Sequence, residues 1–184
     1  MRRRIRYDSG AVLLLGIILF SLTWNEAAAL TVAAIAHEAG HVVMLVMLGS
    51  VPQGVHFTLS GPVILYREPD SVWKAVMITL SGPLSGLLLS LILHLVWPAC
   101  SEISLLLSVF NLIPVLPLDG GRVLQAAMPS QKIKLLSILG FLIPSALMIF
   151  GLAMIRYGQN GFGMLVFGCW LLLLSCQEAQ LDVK

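Results

Sequence analysis

Residues 30–48 read Leu30-Thr31-Val32-Ala33-Ala34-Ile35-Ala36-His37-Glu38-Ala39-Gly40-His41-Val42-Val43-Met44-Leu45-Val46-Met47-Leu48, an apolar run interrupted by three ionisable side chains within five residues. The run is long and apolar enough on both sides of them to be a helix that crosses a membrane. At about 100° per residue, His41 lies roughly 40° around the axis from His37, and Glu38 lies about 60° beyond His41. All three face one sector. Two imidazoles one turn apart can share one Zn²⁺, and a carboxylate on the adjacent row can reach water activated there. Each ionisable group in the middle of a bilayer costs on the order of 3 kcal/mol, so three together call for a metal or a water-filled cavity.

Composition supports a membrane setting. Of 184 residues, 58% are hydrophobic and 11% charged, and the mean hydropathy is +0.95, far more apolar than a soluble domain. The net charge of +2 and the scatter of Lys and Arg argue against nucleic-acid binding. Apolar segments at Ala11–Trp24, Ala27–Leu48, Val72–Trp97, Ile103–Leu118, Leu135–Ile155 and Gly161–Cys176 predict an all-α polytopic bundle of six transmembrane helices in a single domain, residues 1–184. The basic start, Met1 to Arg6, is read as the head of a retained first span. With a cytoplasmic N-terminus, all Lys and Arg except Arg156 fall on the inner side, as the positive-inside rule requires.

The long inner connection carries Val55-His56-Phe57-Thr58-Leu59 and Val63-Ile64-Leu65-Tyr66 on either side of Ser60-Gly61-Pro62, the pattern of a β-hairpin. Such a hairpin must lie at the interface or where protein or water covers its backbone. Cys100, Cys169 and Cys176 form no C-x-x-C pair or other zinc-ligand spacing and are read as packed or lipid-facing thiols. His94 is read as an interfacial side chain and His56 as structural; neither is a predicted ligand.

Zinc needs a third protein ligand, and Asp119 is the best candidate. The segment Asn111-Leu112-Ile113-Pro114-Val115-Leu116-Pro117-Leu118-Asp119-Gly120-Gly121-Arg122 ends the predicted fourth span with two prolines that interrupt helical pairing. Interrupted backbone at membrane depth implies a protein-lined cavity.

Together, H-E-A-G-H in one span and N-L-I-P-V-L-P-L-D-G-G in a later one resemble the site-2 protease family of intramembrane zinc metalloproteases, and most closely its bacterial sporulation-type branch. The resemblance covers about residues 27–122. It implies zinc ligands His37, His41 and Asp119, a catalytic Glu38, and a substrate contact at Asn111. It further implies hydrolysis of a membrane-protein substrate within or near a transmembrane segment, in the bacterial cytoplasmic membrane and subject to a regulatory membrane partner. Many relatives carry a PDZ or CBS domain, for which this sequence has no room. The sequence also departs from the family: in Ser81-Gly82-Pro83-Leu84-Ser85-Gly86, Gly86 stands where the family's G-P-x-x-N pattern has asparagine. Gly82 and Gly86 are therefore read as a small-residue face for close helix packing. Two other readings fit fewer residues. A catalytically silent zinc-binding adaptor conflicts with the intact Glu38, and a metal transporter predicts a repeated half that is not visible.

Overall fold

The computed structural model describes residues 4–7, 22–58, 61–66, 71–128, 133–158 and 161–181. Its strands are β1 (Arg4–Tyr7), β2 (Gly54–Thr58) and β3 (Gly61–Leu65). The helices are α1 (Trp24–Met47), α2 (Val72–Leu93), α3 (Pro98–Asn111), α4 (Asp119–Ala127), α5 (Ile133–Arg156) and α6 (Phe162–Leu181). The chain divides into two compact units, Met1–Ile113 and Pro114–Lys184.

Local chemistry sets both ends of α1. Thr23 and Glu26 form a capping box: the Thr23 hydroxyl accepts from the Glu26 backbone N–H, and Glu26 Oε2 accepts from the Thr23 backbone N–H at 2.9 Å. These bonds satisfy donors that a helix start leaves open. At the other end Gly49 adopts φ +79°. Its N–H donates to the Val46 carbonyl and that of Ser50 to the Leu45 carbonyl, both at 3.0 Å. This Schellman arrangement uses glycine's access to the left-handed region to turn the chain out of the helix toward β2.

In the first unit α1, α2 and α3 pack on one another. Their buried faces are small and often polar: Ala29, Ala33 and His37 on α1; Ser81, Gly82, Gly86 and Ser90 on α2; Ser101, Ser104 and Ser108 on α3. Many large side chains point outward, with Leu88, Leu91 and Ile92 of α2 and Leu105 and Leu106 of α3 exposed, while Leu45 and Ile78 are buried. Lipid solvates leucine as well as a neighbouring helix does, so close approach and hydrogen bonds, not burial of apolar area, hold such helices together. The Ser101 hydroxyl donates to the Ser90 carbonyl at 2.8 Å, and the Ser85 hydroxyl to the Ala36 carbonyl, also at 2.8 Å. Interhelical bonds of this kind contribute on the order of 0.6 to 2 kcal/mol each.

In the second unit α5 and α6 pack through glycines. A side chain at Gly151 would meet the backbone of Gly161 and Leu165, and one at Gly168 would meet the Pro144 carbonyl and Met148.

Several boundaries differ from those predicted. Among the described residues, three helices, Trp24–Met47, Val72–Leu93 and Lys134–Arg156, are long and apolar enough to cross a membrane, and Phe162–Cys176 is a shorter apolar helix. The predicted first span, residues 11–24, lies almost wholly outside the described residues. The predicted fourth span, Ile103–Leu118, is two pieces. Its helix begins earlier, with Pro98 at the first helical position, where a missing N–H costs nothing. It stops at Asn111, three residues before Pro114, because proline can neither donate to the ladder nor fit behind the carbonyl four residues back. Asp119 therefore does not end a span but begins the nine-residue helix α4.

An all-α fold carrying only a hairpin also needs amendment, because β1 adds to the strands. It pairs parallel with β2, Arg4 opposite Gly54 and Tyr7 opposite Phe57, while β2 pairs antiparallel with β3, Val55 opposite Ile64. The order is β1-β2-β3, so β2 is central.

Candidate metal centre

His37 and His41 sit one turn apart on α1, His37 buried and His41 half-buried. Their ring centroids are 4.9 Å apart with the planes at 82°. Their Nε2 atoms approach to 3.3 Å. Nitrogens bound to one tetrahedral zinc, at about 2.0–2.1 Å each, would stand roughly 3.3–3.4 Å apart, so the pair has the spacing that such an ion needs.

Protonation is set from α2. His41 Nδ1 lies 2.8 Å from the Ile78 carbonyl, which can only accept. The proton of a neutral His41 ring is thus on Nδ1, and a lone pair is left on Nε2. Glu38, half-buried, follows His37 on the same helix.

Asp119 is the first residue of α4 and is buried. Val115, Pro117 and Leu118 before it are buried as well. Gly121 is needed for this turn: a Cβ there would press on the backbone of Val115 and Leu116 at 2.5 Å. A prop comes from α6, where the Ser175 hydroxyl donates at 3.0 Å to the Leu116 carbonyl. The N-terminal end of a helix also favours a carboxylate.

His37 and His41 supply two ring nitrogens and Asp119 a buried carboxylate, the donor types of a group that could hold a metal ion. Two nitrogens and a carboxylate oxygen suit zinc and leave a fourth tetrahedral position for water or substrate.

The other singled-out residues are placed differently. Asn111 is the last residue of α3 and half-buried, and its side-chain amide donates to the Leu107 carbonyl at 2.9 Å. His94 caps α2 and is exposed. His56 lies on β2 opposite Arg6 and Val63 in register, with its side chain outside the described residues. Cys100 is buried, its thiol 3.7 Å from the Ala29 carbonyl, while Cys169 and Cys176 are exposed. Gly86 packs on α3, where a Cβ would overlap the Ser108 hydroxyl, as a small-residue packing face requires. Sequence reasoning missed the Ile78 carbonyl and Ser175. Backbone acceptors carry no residue signature, and a serine in a hydrophobic helix is too common to mark a site.

Residues 95–150, which include Asn111 and Asp119, match the family model of Peptidase family M50. A curated relative from Synechocystis, "Putative zinc metalloprotease sll0528", is 34% identical over 108 residues, covering 51% of this chain. The match spans only 28% of that relative's length. Among solved structures, the site-2 protease from Methanocaldococcus jannaschii superposes with a TM-score of 0.73 at 20% identity, covering 95% of this chain and 89% of the other. At that identity the likeness speaks for the fold. The resemblance read from the two motifs is thus borne out: this is an integral membrane protein with the site-2 protease fold, and its segment around Asp119 matches the model of Peptidase family M50.

Proposed function

We propose that the chain is an intramembrane zinc metalloendopeptidase that hydrolyses a peptide bond within or near a transmembrane segment of a membrane-protein substrate. The observation that carries this reading is the 3.3 Å approach of the two Nε2 atoms, with Glu38 next to His37 on α1. In it His37, His41 and Asp119 are the zinc ligands, and Asn111 contacts substrate near the site. A bound zinc ion supplies Lewis-acid polarisation and acidifies water. Glu38 accepts the proton that water gives up on adding to the scissile carbonyl carbon. It then delivers that proton to the amine nitrogen as the C–N bond breaks. The products are one new carboxyl and one new amino terminus.

This division of labour is tested with Glu38→Gln, which removes the base and leaves the ligands. Cleavage of a single-span substrate in proteoliposomes should fall by about 10²- to 10⁴-fold, with zinc content per chain unchanged. Parallel loss of zinc would show that Glu38 is a ligand instead. Zinc flux into vesicles without cleavage would favour a transporter.

The same reading places six spans in a bacterial cytoplasmic membrane with both termini and the strands β2 and β3 on the cytoplasmic side. Basic residues on the inner connections support this orientation. Exposed Trp24 at the start of α1 and Tyr157 just beyond α5 suit the opposite interface, where aromatic rings are enriched. An impermeant thiol reagent that labels a cysteine placed at Lys184 in intact cells would overturn it.

A further inference from the structure

The surface of α2 that meets α1 is shaped around one imidazole. The Ile78 carbonyl accepts from His41 Nδ1 at 2.8 Å and from the Ser81 hydroxyl at 2.6 Å. One turn further along, Gly82 lies against the ring: a Cβ there would overlap Nε2, Cε1 and Cδ2 of His41. The two helices are locked in this register. The Ser85 hydroxyl bridges the Ala36 and Gly82 carbonyls at 2.8 and 2.7 Å, and a Cβ at Gly40 would run into the Ser81 carbonyl and Ser85.

We propose that Gly82 and the Ile78 carbonyl are positioning elements of the metal centre, which together fix the tautomer and the ring plane of His41. An imidazole turns about two side-chain torsions and has two tautomers. The carbonyl selects the tautomer, because the other would set a nitrogen lone pair against an oxygen lone pair at 2.8 Å. The bare backbone of Gly82 leaves the ring room to keep Nε2 turned toward the Nε2 of His37. A partner that orients a metal-bound histidine through its far nitrogen typically changes metal affinity about 10- to 100-fold. The first glycine of Ser81-Gly82-Pro83-Leu84-Ser85-Gly86 thus serves the metal, whereas the second serves helix packing. The inference rests on the metalloprotease reading for the identity of the ion.

Gly86 supplies the control, because a Cβ there overlaps only the Ser108 hydroxyl, which can rotate away. In the full-length protein in detergent, zinc affinity is measured by competition with a chelator, and the ligand field by absorbance after loading with Co²⁺. Gly82→Ala should bind zinc about 10- to 100-fold more weakly and shift the Co²⁺ bands, whereas Gly86→Ala should match wild type in both. Wild-type affinity and spectrum in Gly82→Ala would overturn the proposal. Should Gly82→Ala fail to fold, ¹⁵N-histidine NMR of the zinc-loaded wild type decides. A protonated, hydrogen-bonded Nδ1 on His41 supports the proposal, and zinc on that nitrogen sinks it. A wild type that binds no zinc fails the metalloprotease reading itself, a result distinct from equal binding by wild type and Gly82→Ala.

Discussion

Two stretches of this chain offer candidate metal ligands, and they hold them by opposite means. On α1 the two histidines are placed by helical periodicity: a spacing of four residues puts both rings on one face whatever the rest of the molecule does. Asp119 has no such guarantee. Its position depends on a helix that stops at Asn111, a buried turn through Val115 and Pro117, a glycine at 121 tight against that turn, and a serine from α6. A regular element carries its own geometry, while an irregular one takes its geometry from neighbours remote in sequence.

The contrast can be broken at its strongest point with Asp119→Ala, which should weaken zinc binding by more than about 100-fold, beyond the range of a supporting residue. Zinc content after dialysis against a chelator measures it. An occupancy equal to wild type would mean that another residue completes the site.

A smaller effect is expected from a third region that holds no ligand. β3 is the edge strand of β1-β2-β3 on the side away from β1. An unwound substrate could add to it through main-chain hydrogen bonds. Proline at Ile64 or Leu65 removes one backbone donor, so cleavage should slow several-fold relative to alanine at the same position while zinc content stays constant. Equal rates for the proline and alanine variants would remove β3 from substrate binding.

The smallest change is expected from Ser175→Ala. Losing one hydrogen bond to the Leu116 carbonyl is worth about 1 kcal/mol, or roughly a fivefold loss of zinc affinity if the turn relaxes. A loss as large as that of Asp119→Ala would make Ser175 the main support of the turn. No change would leave Gly121 and the buried Pro117 as sufficient.

What could be read from the sequence follows the same division. The limits of α1 and α5 lie within three residues of the apolar segments that predict them, because unbroken hydrophobic runs in a membrane protein leave few alternatives to a helix. The fourth segment misleads: its composition stays apolar through Leu118, whereas the backbone obeys Pro114. β1 was invisible because Arg4-Ile5-Arg6-Tyr7 is short and finds its partner some fifty residues away. The small residues of Ser81 to Gly86 announced close packing. Which of them would touch His41 depended on the register between α1 and α2, and that register is held by Ser85 rather than written in any spacing.

The capping box at Thr23 and Glu26 works as the zero mark of a ruler. From Trp24, the first residue of α1, to His37 the helix advances about 20 Å, a depth counted out in residues rather than sensed from the surrounding lipid. A bilayer can thin or thicken around such a helix, and a substrate can slide or tilt. The two histidines nonetheless stay at a set distance from the point where the chain turns into α1. Where a substrate is cut would then be decided by how far its own helix is drawn in against that fixed scale.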